Sequence, residues 1–187
     1  MAAPETASLK DLNGKWVMNK TLSDETDSVL ALQGVGWLTR KAIALATITL
    51  HTKEYVDDAS VTHIDIDQTA TGGIKGTSEQ RVLDNQFREH TDHIFGELKG
   101  RSRWFKLSDL DESDYDEKYL KEGWEKAIVD GEAIESFVEN GKAGWTARQI
   151  WGFMEVKGDR RYVRNVVVVK GDQVKRRRLV YDWAGKE

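Results

Sequence analysis

The sequence predicts an all-β fold: ten antiparallel strands running up and down and closing into one β-barrel, with a helix-turn-helix after the first strand and a further helix inserted later. Three observations carry this. Segments rich in Val, Ile, Thr, Tyr and Trp recur from residue 47 to residue 183, separated by turns that carry Gly and Asp. Two late turns share one tripeptide, Lys157-Gly158-Asp159 and Lys170-Gly171-Asp172, as consecutive hairpins would. Proline occurs once in 187 residues, so strands run uninterrupted.

Residues 1–8 are expected to be a mobile tail, and residues 9–187 a single domain large enough for a sizeable core. The first strand is residues 12–20. Ser23-Asp24-Glu25-Thr26-Asp27 then reads as a helix N-cap with acids in the first turn, where the helix dipole favours them. Val29, Leu30 and Leu32 give this helix its apolar side. Gly34 and Gly36 permit a tight turn, and Trp37, Leu38, Lys41, Ala42 and Leu45 recur at helical spacing, so the pair spans about residues 23–45. Strands follow at 46–54, 61–71 and 74–83, the last two joined through Gly72-Gly73. Residues 89–98 and 101–107 are expected to pair across Lys99-Gly100.

Residues 109–128 break the pattern. Asp109, Asp111, Glu112, Asp114, Asp116 and Glu117 cluster at the start, and Tyr115, Tyr119, Leu120, Trp124 and Ile128 share a helical face. This predicts an amphipathic helix, either packed outside the barrel or laid across its mouth as a lid. Strands at 133–138 and 145–156, then the hairpin partners of the Lys-Gly-Asp turns, bring the count to ten. Closure removes exposed edges, and a barrel of this size can hold a ligand.

Composition narrows the function. Charged residues make up 32% and hydrophobic residues 39%, no apolar run is long enough to cross a bilayer, and the first residues lack a signal-peptide pattern, so stable membrane insertion is not expected. There is no cysteine, which excludes disulfides, thiol nucleophiles and thiolate metal sites and points to the cytoplasm. The formal net charge of −4 argues against a nucleic-acid partner. No cofactor is implied.

Three stretches carry a family resemblance. Leu12-Asn13-Gly14-Lys15-Trp16 resembles the Gly-x-Trp opening of lipocalins and fatty-acid-binding proteins. Gly34-Val35-Gly36-Trp37-Leu38-Thr39-Arg40-Lys41 resembles the helix-turn-helix of the intracellular lipid-binding family, and the meander ending on Arg176-Arg177-Arg178-Leu179-Val180-Tyr181 resembles its last strands. The resemblance implies a calycin-type barrel around a small hydrophobic ligand. Parts of the chain are also similar to lipocalin-like proteins of fungi, some of which serve small-molecule pathways. The chain departs from the family at its ligand clamp, Arg-x-Tyr on the last strand: the residue two before Tyr181 is Leu179, so the clamp is absent or displaced to Arg177 or Arg178. The segment 109–128 is also foreign to ordinary fatty-acid-binding proteins.

Two functions follow. One is non-covalent binding of a small hydrophobic ligand with an acid group, through Trp37, Arg81, Arg103, Trp104, Trp151, Arg178 and Tyr181. The other is an isomerase, cyclase or hydrolase working on a hydrophobic metabolite inside the barrel by acid–base chemistry, with His63, Asp65, Glu79 and His90 as candidates. Strand alternation groups these residues. His63, Asp65 and Asp67 oppose Ile64 and Ile66, as a solvated outer face or as a cavity acid–base pair. Lys75, Thr77, Glu79 and Arg81 share a face, as do His90 and Asp92. His93 points away from His90, so this strand does not present both to one metal ion. Arg101 and Arg103 oppose Trp104, as an outer charged face or a cationic wall for an acidic ligand. Arg176 and Arg178 alternate with Arg177, Leu179 and Tyr181. An inward arginine must find a carboxylate, or Arg176 or Arg178 packs on Trp16 as a lipocalin's basic residue does.

Overall fold

The structure, a computed structural model, describes residues 1–186. Its strands are β1 (Gly14–Met18), β2 (Thr49–Val56), β3 (Thr62–Ala70), β4 (Ile74–Val82), β5 (Arg88–Asp92), β6 (Gly96–Phe105), β7 (Ala133–Asn140), β8 (Trp145–Val156), β9 (Asp159–Lys170) and β10 (Gln173–Trp183). They form one ten-stranded antiparallel sheet in the order β4-β3-β2-β1-β10-β9-β8-β7-β6-β5. Because β1 pairs with β10, the sheet wraps into a barrel that is nearly closed, with one slot between β4 and β5. The helices after the first strand are α1 (Asp27–Leu32) and α2 (Trp37–Leu45); the later insertion contains α3 (Tyr115–Lys121) and α4 (Lys126–Asp130). No helix among the described residues is long and apolar enough to cross a membrane.

Trp16 anchors one end. Its ring lies 6.0, 5.3 and 4.7 Å from those of Phe153, Tyr162 and Trp183, and its Nε1 donates to the Leu12 carbonyl at 2.9 Å. This cluster makes the base solid and explains the Gly-x-Trp opening. Gly14 sits at φ +126°, and a Cβ there would lie 2.4 Å from the Trp183 ring. At the other end α1 lays Val29 and Leu32 on Leu98, Val138, Trp145, Ala147, Val166 and Val168. With the mouth filled by α1, α2 rides outside and buries nothing: Trp37 is 63% exposed and Leu45 87%. The expected ligand contact of Trp37 is corrected for that reason.

The insertion covers the outside of the barrel wall. Asp114 caps α3 by accepting from the N–H groups of Asp116 and Glu117, both at 2.9 Å. Gly123 at φ +90° then breaks the segment, so the single expected helix is two short ones. Beneath them Asn165 donates to the Glu122 carbonyl at 3.2 Å, and Trp124 lies over Gly152. The segment therefore packs on β8 and β9 rather than closing the mouth, and β9 is buried on both faces. A Cβ at residue 152 would stand 2.7 Å from the Trp124 ring. Gly152→Ala is expected to cost about 1–3 kcal/mol by overpacking, read as a lower urea midpoint; an unchanged midpoint would show that the insertion gives way freely.

Two further expectations are corrected. Residues 1–8 are not a free tail: Ala3 and Ala7 are buried, Ala3 N donates to Arg160 O at 2.7 Å, and Arg160 Nη1 donates to the carbonyls of Pro4 and Ala7, both at 3.0 Å. The β5–β6 turn falls at 93–95, not at Lys99-Gly100. Asp92 Oδ1 accepts from the N–H groups of Ile94 and Phe95 at 2.7 and 2.9 Å, an Asx-type turn that Gly96 completes at φ +77°. Gly100 is a packing glycine inside β6, where a Cβ would meet the Phe137 carbonyl at 3.1 Å.

Candidate functional site

Register decides which side chains share the interior. Ile64 and Ile66 face in and are fully buried, so His63, Asp65 and Asp67 face out. His63 Nε2 lies 2.8 Å from Asp57 Oδ2, and its ring stacks on Tyr55 at 4.9 Å. The cavity reading of His63 and Asp65 is thus replaced by the outer-face one. Arg103 also faces out. It pairs with Glu135, which Arg148 joins at 2.7 Å while reaching Glu117 of α3 at 2.6 Å. Its partner across the pleat, Trp104, faces in and is half-buried.

The last strand divides as its alternation predicts, but the expected ligand contact of Arg178 is corrected, because its face is the outer one. Arg178 lies on the outer face under the insertion, with Nε donating to Asn165 Oδ1 at 3.1 Å. Arg176 pairs with Asp116 at 2.5 Å and lies over the Tyr115 ring. Neither packs on Trp16, whose faces are taken by other aromatics. The outer face of β10 is covered by the insertion, so arginines on either face find partners. Arg177, on the inward row, reaches up to α1 and donates to the Glu25 carbonyl at 2.7 Å and to Ser28 Oγ at 2.6 Å. It ties α1 over the mouth.

The interior carries a charged cluster between the base and the α1 contacts. Glu79 on β4 takes Arg81 at 3.1 Å and Arg164 of β9 at 3.3 Å, while Gln68 donates to it at 3.0 Å. Arg164 Cζ lies 3.9 Å over the Trp151 ring, and Nε donates to Tyr162 Oη at 3.0 Å. Tyr181 stands 5.6 Å from the same guanidinium. Sequence reasoning thus placed Glu79, Arg81, Trp151 and Tyr181 among its candidates, and the structure brings them together. Arg164 was missed. It pairs across β9–β10 with Leu179, so its guanidinium stands beside the position two before Tyr181 on the neighbouring strand. A signal existed: one charge two residues after Tyr162, in a strand that otherwise runs into four valines.

The electrostatics favour an electron-rich guest. Two guanidiniums share one carboxylate, which leaves this trio with one positive charge in excess. Burial alone would raise the Glu79 pKa, but the charges of Arg164 and Arg81 outweigh it and hold it down to about 2. Arg164 is 3% exposed, and its Nη2 has no hydrogen-bond partner among the described residues. Burial raises the pKa of the Tyr162 and Tyr181 phenols, so both stay neutral donors. His90, which is exposed, stands at the slot between β4 and β5, bordering with Arg81 and Ser102 a gap of about 30 Å³ and, with Glu97, Lys99 and Glu139, an open pocket of about 520 Å³. Its pKa is lowered by burial and by the Arg81 charge.

Glu54, at the far end of β2, behaves oppositely to Glu79. Burial lifts its pKa to about 7 against the hydrogen bond from Leu12 N. A carboxyl raised above its unfolded value costs stability as pH climbs from about 4.3 to about 7, and the cost persists above that. Glu54→Gln is expected to raise the thermal midpoint at pH 8 and leave it unchanged at pH 4; a variant no more stable at pH 8 would contradict this.

No family model matches the chain. Two curated proteins are similar to it over nearly their whole lengths. The probable pericyclase scpY of Mollisia scopiformis is 37% identical over 187 residues, covering 100% of this chain and 96% of that protein. The pericyclase pydY of Acremonium sp is 34% identical over 186 residues, covering 99% and 98%. Among solved structures, the fatty acid binding protein of Schistosoma mansoni in complex with arachidonic acid is 16% identical, with a TM-score of 0.55, over 96% of this chain and 100% of that one. That likeness establishes the fold: a barrel of the fatty-acid-binding protein type.

Proposed function

The chain belongs to the family of the pericyclases scpY and pydY, and from that premise we propose that it catalyses a pericyclic ring closure of a small hydrophobic, unsaturated substrate inside the barrel. The observation that carries this reading is the buried Arg164, held by Glu79 and Tyr162 and stacked on Trp151, with its Nη2 amino group left without a partner among the described residues. A pericyclic step moves electrons around a ring in one event. Every bond made is balanced by one broken or shifted within the substrate, and the product keeps the substrate's mass. Such a step consumes no acid, base or oxidant, so a barrel can help in two ways.

The first is to hold a flexible chain folded with its reacting ends together, which converts lost motional freedom into rate. The half-buried Trp104 and Leu179 and the rings of Trp151 and Tyr181, all on inward rows, suit that role. The second is to draw electron density from the reacting π system by donating to a conjugated carbonyl oxygen. Arg164 fits this task because it is fixed in advance and sits where little water screens its charge. The lack of cysteine supports a cytoplasmic setting.

His90 separates this reading from acid–base cyclisation. The purified protein is incubated with the substrate of pydY, and substrate and product are resolved by chromatography. The expected rate is flat from pH 6 to 9, and His90→Gln stays within about threefold of the parent, since no proton is transferred in the step. A rate that follows a single titration and collapses in His90→Gln would replace pericyclic catalysis with general acid–base catalysis.

A further inference from the structure

On the interior wall, Ser102, Ser136 and Gln149 occupy directly paired positions on β6, β7 and β8. They form one row across three strands, beside the row of Trp104, Ile134, Trp151 and Arg164. Ser102 is 3% exposed and Ser136 is 0% exposed, and neither hydroxyl has a hydrogen-bond partner among the described residues. Gln149 accepts from Trp151 Nε1 at 2.9 Å through its Oε1, which turns the carbonyl end of the amide toward the indole and leaves the NH2 end as a donor. Buried polar groups are nearly always satisfied, so two unpaired hydroxyls side by side need a reason. Alanine, as at Ala147 one pair further along, would fill such positions without the desolvation cost.

We propose that this row is a second anchor, a neutral hydrogen-bonding subsite for a carbonyl or amide oxygen of the substrate, distinct from the cationic anchor at Arg164. The inference rests on the interior being the substrate chamber. It narrows the substrate class to molecules with two oxygen functions, one electron-rich and one neutral. Adjacent strands stand about 4.8 Å apart, so the row presents its donors over about 10 Å of wall. Two anchors on different strands fix a chain at two points, which folding it for ring closure requires and which simple retention does not.

The test uses unreactive probes, so its outcome does not depend on ring closure. Octadecanoate offers one polar group; 5-, 9- and 12-oxo-octadecanoate each add a ketone at a different reach. Affinities are measured by calorimetry for the parent, the double variant Ser102→Ala/Ser136→Ala, and Arg164→Gln. At least one oxo acid is expected to bind the parent three- to tenfold more tightly than octadecanoate, the range of a neutral hydrogen bond. The double variant is expected to erase that advantage and to bind octadecanoate within twofold of the parent. Arg164→Gln is expected to weaken all four acids while keeping the ketone's advantage. Removing unpaired hydroxyls relieves a desolvation cost, so the double variant should melt no lower than the parent. No advantage for any oxo acid, or an advantage that survives in the double variant, overturns the subsite. Failure of ring closure with the compound that accumulates in a strain lacking this gene, with the ketone's advantage intact, would overturn the pericyclic reading and leave the subsite standing.

Discussion

Arg164→Met is expected to slow ring closure about tenfold to a hundredfold while leaving the barrel folded. A hydrogen bond from a charged donor is worth about 1.5–3 kcal/mol, and the part that grows as electron density moves toward the carbonyl appears in the rate rather than in binding. Methionine keeps much of the side chain's packing over Trp151 and removes the charge. Glu79 keeps Arg81 as its partner at 3.1 Å, so the variant does not strand a buried carboxylate. The loss should therefore fall on kcat, with KM changed less. Arg164→Lys should recover only part of it, because the forked geometry that bonds Glu79 and Tyr162 together is lost. Unchanged kcat in Arg164→Met would remove this residue from the chemistry.

Glu79→Leu is expected to cost about 3–5 kcal/mol of folding stability, the range for breaking a buried ion pair from one side. The substitution leaves Arg81 and Arg164 facing each other with nothing between, and Gln68 loses its acceptor. Glu79→Gln isolates the ionic part. The Glu79 pKa is about 2 when folded, against about 4.3 in a free chain, so its contribution is fully present above the unfolded value and is lost as pH falls through the folded one. The parent's advantage over Glu79→Gln in urea denaturation should be greatest above about pH 5 and shrink steadily toward pH 2. Equal stabilities at pH 7 would mean that the pair contributes nothing net.

The fold was legible because strands write their period into the sequence. Ile64 and Ile66, the Lys-Gly-Asp turns and the glycine-rich junction before Trp37 each define an element without reference to distant residues. Where one side chain did two jobs, the reading slipped. Asp92 reads as a neighbour of His90 on one strand face and is the acceptor that builds the β5–β6 turn, while Gly100 reads as a turn and is a packing gap. The site was half legible. Alternation put Glu79 with Arg81, and Leu179 with Tyr181, but parity groups residues without saying which group faces in. Apolarity marks the inward face for β3, yet even there a polar cavity wall of His63 and Asp65 stays open from sequence alone. The choice fails for β10, whose outer face lies under the insertion and accepts Arg176 and Arg178 as readily as an interior would. Arg164 was hidden for a related reason: Arg160, Arg161 and Arg164 fall in one stretch, and their three destinations depend on the N-terminal segment, Asp159 and Glu79, far apart in the chain.

A barrel that catalyses a pericyclic closure rearranges the bonds of its substrate without adding or removing atoms. A strain lacking the gene should accumulate the unclosed substrate. That compound, purified and incubated with the protein alone, is followed by high-resolution mass spectrometry. Conversion to a product of identical mass with a different retention time and weaker long-wavelength absorbance is expected, at a rate that falls in Arg164→Met. A product that differs by water, by two hydrogens or by oxygen would contradict it, and would make the barrel the site of a lyase, hydrolase or redox reaction instead.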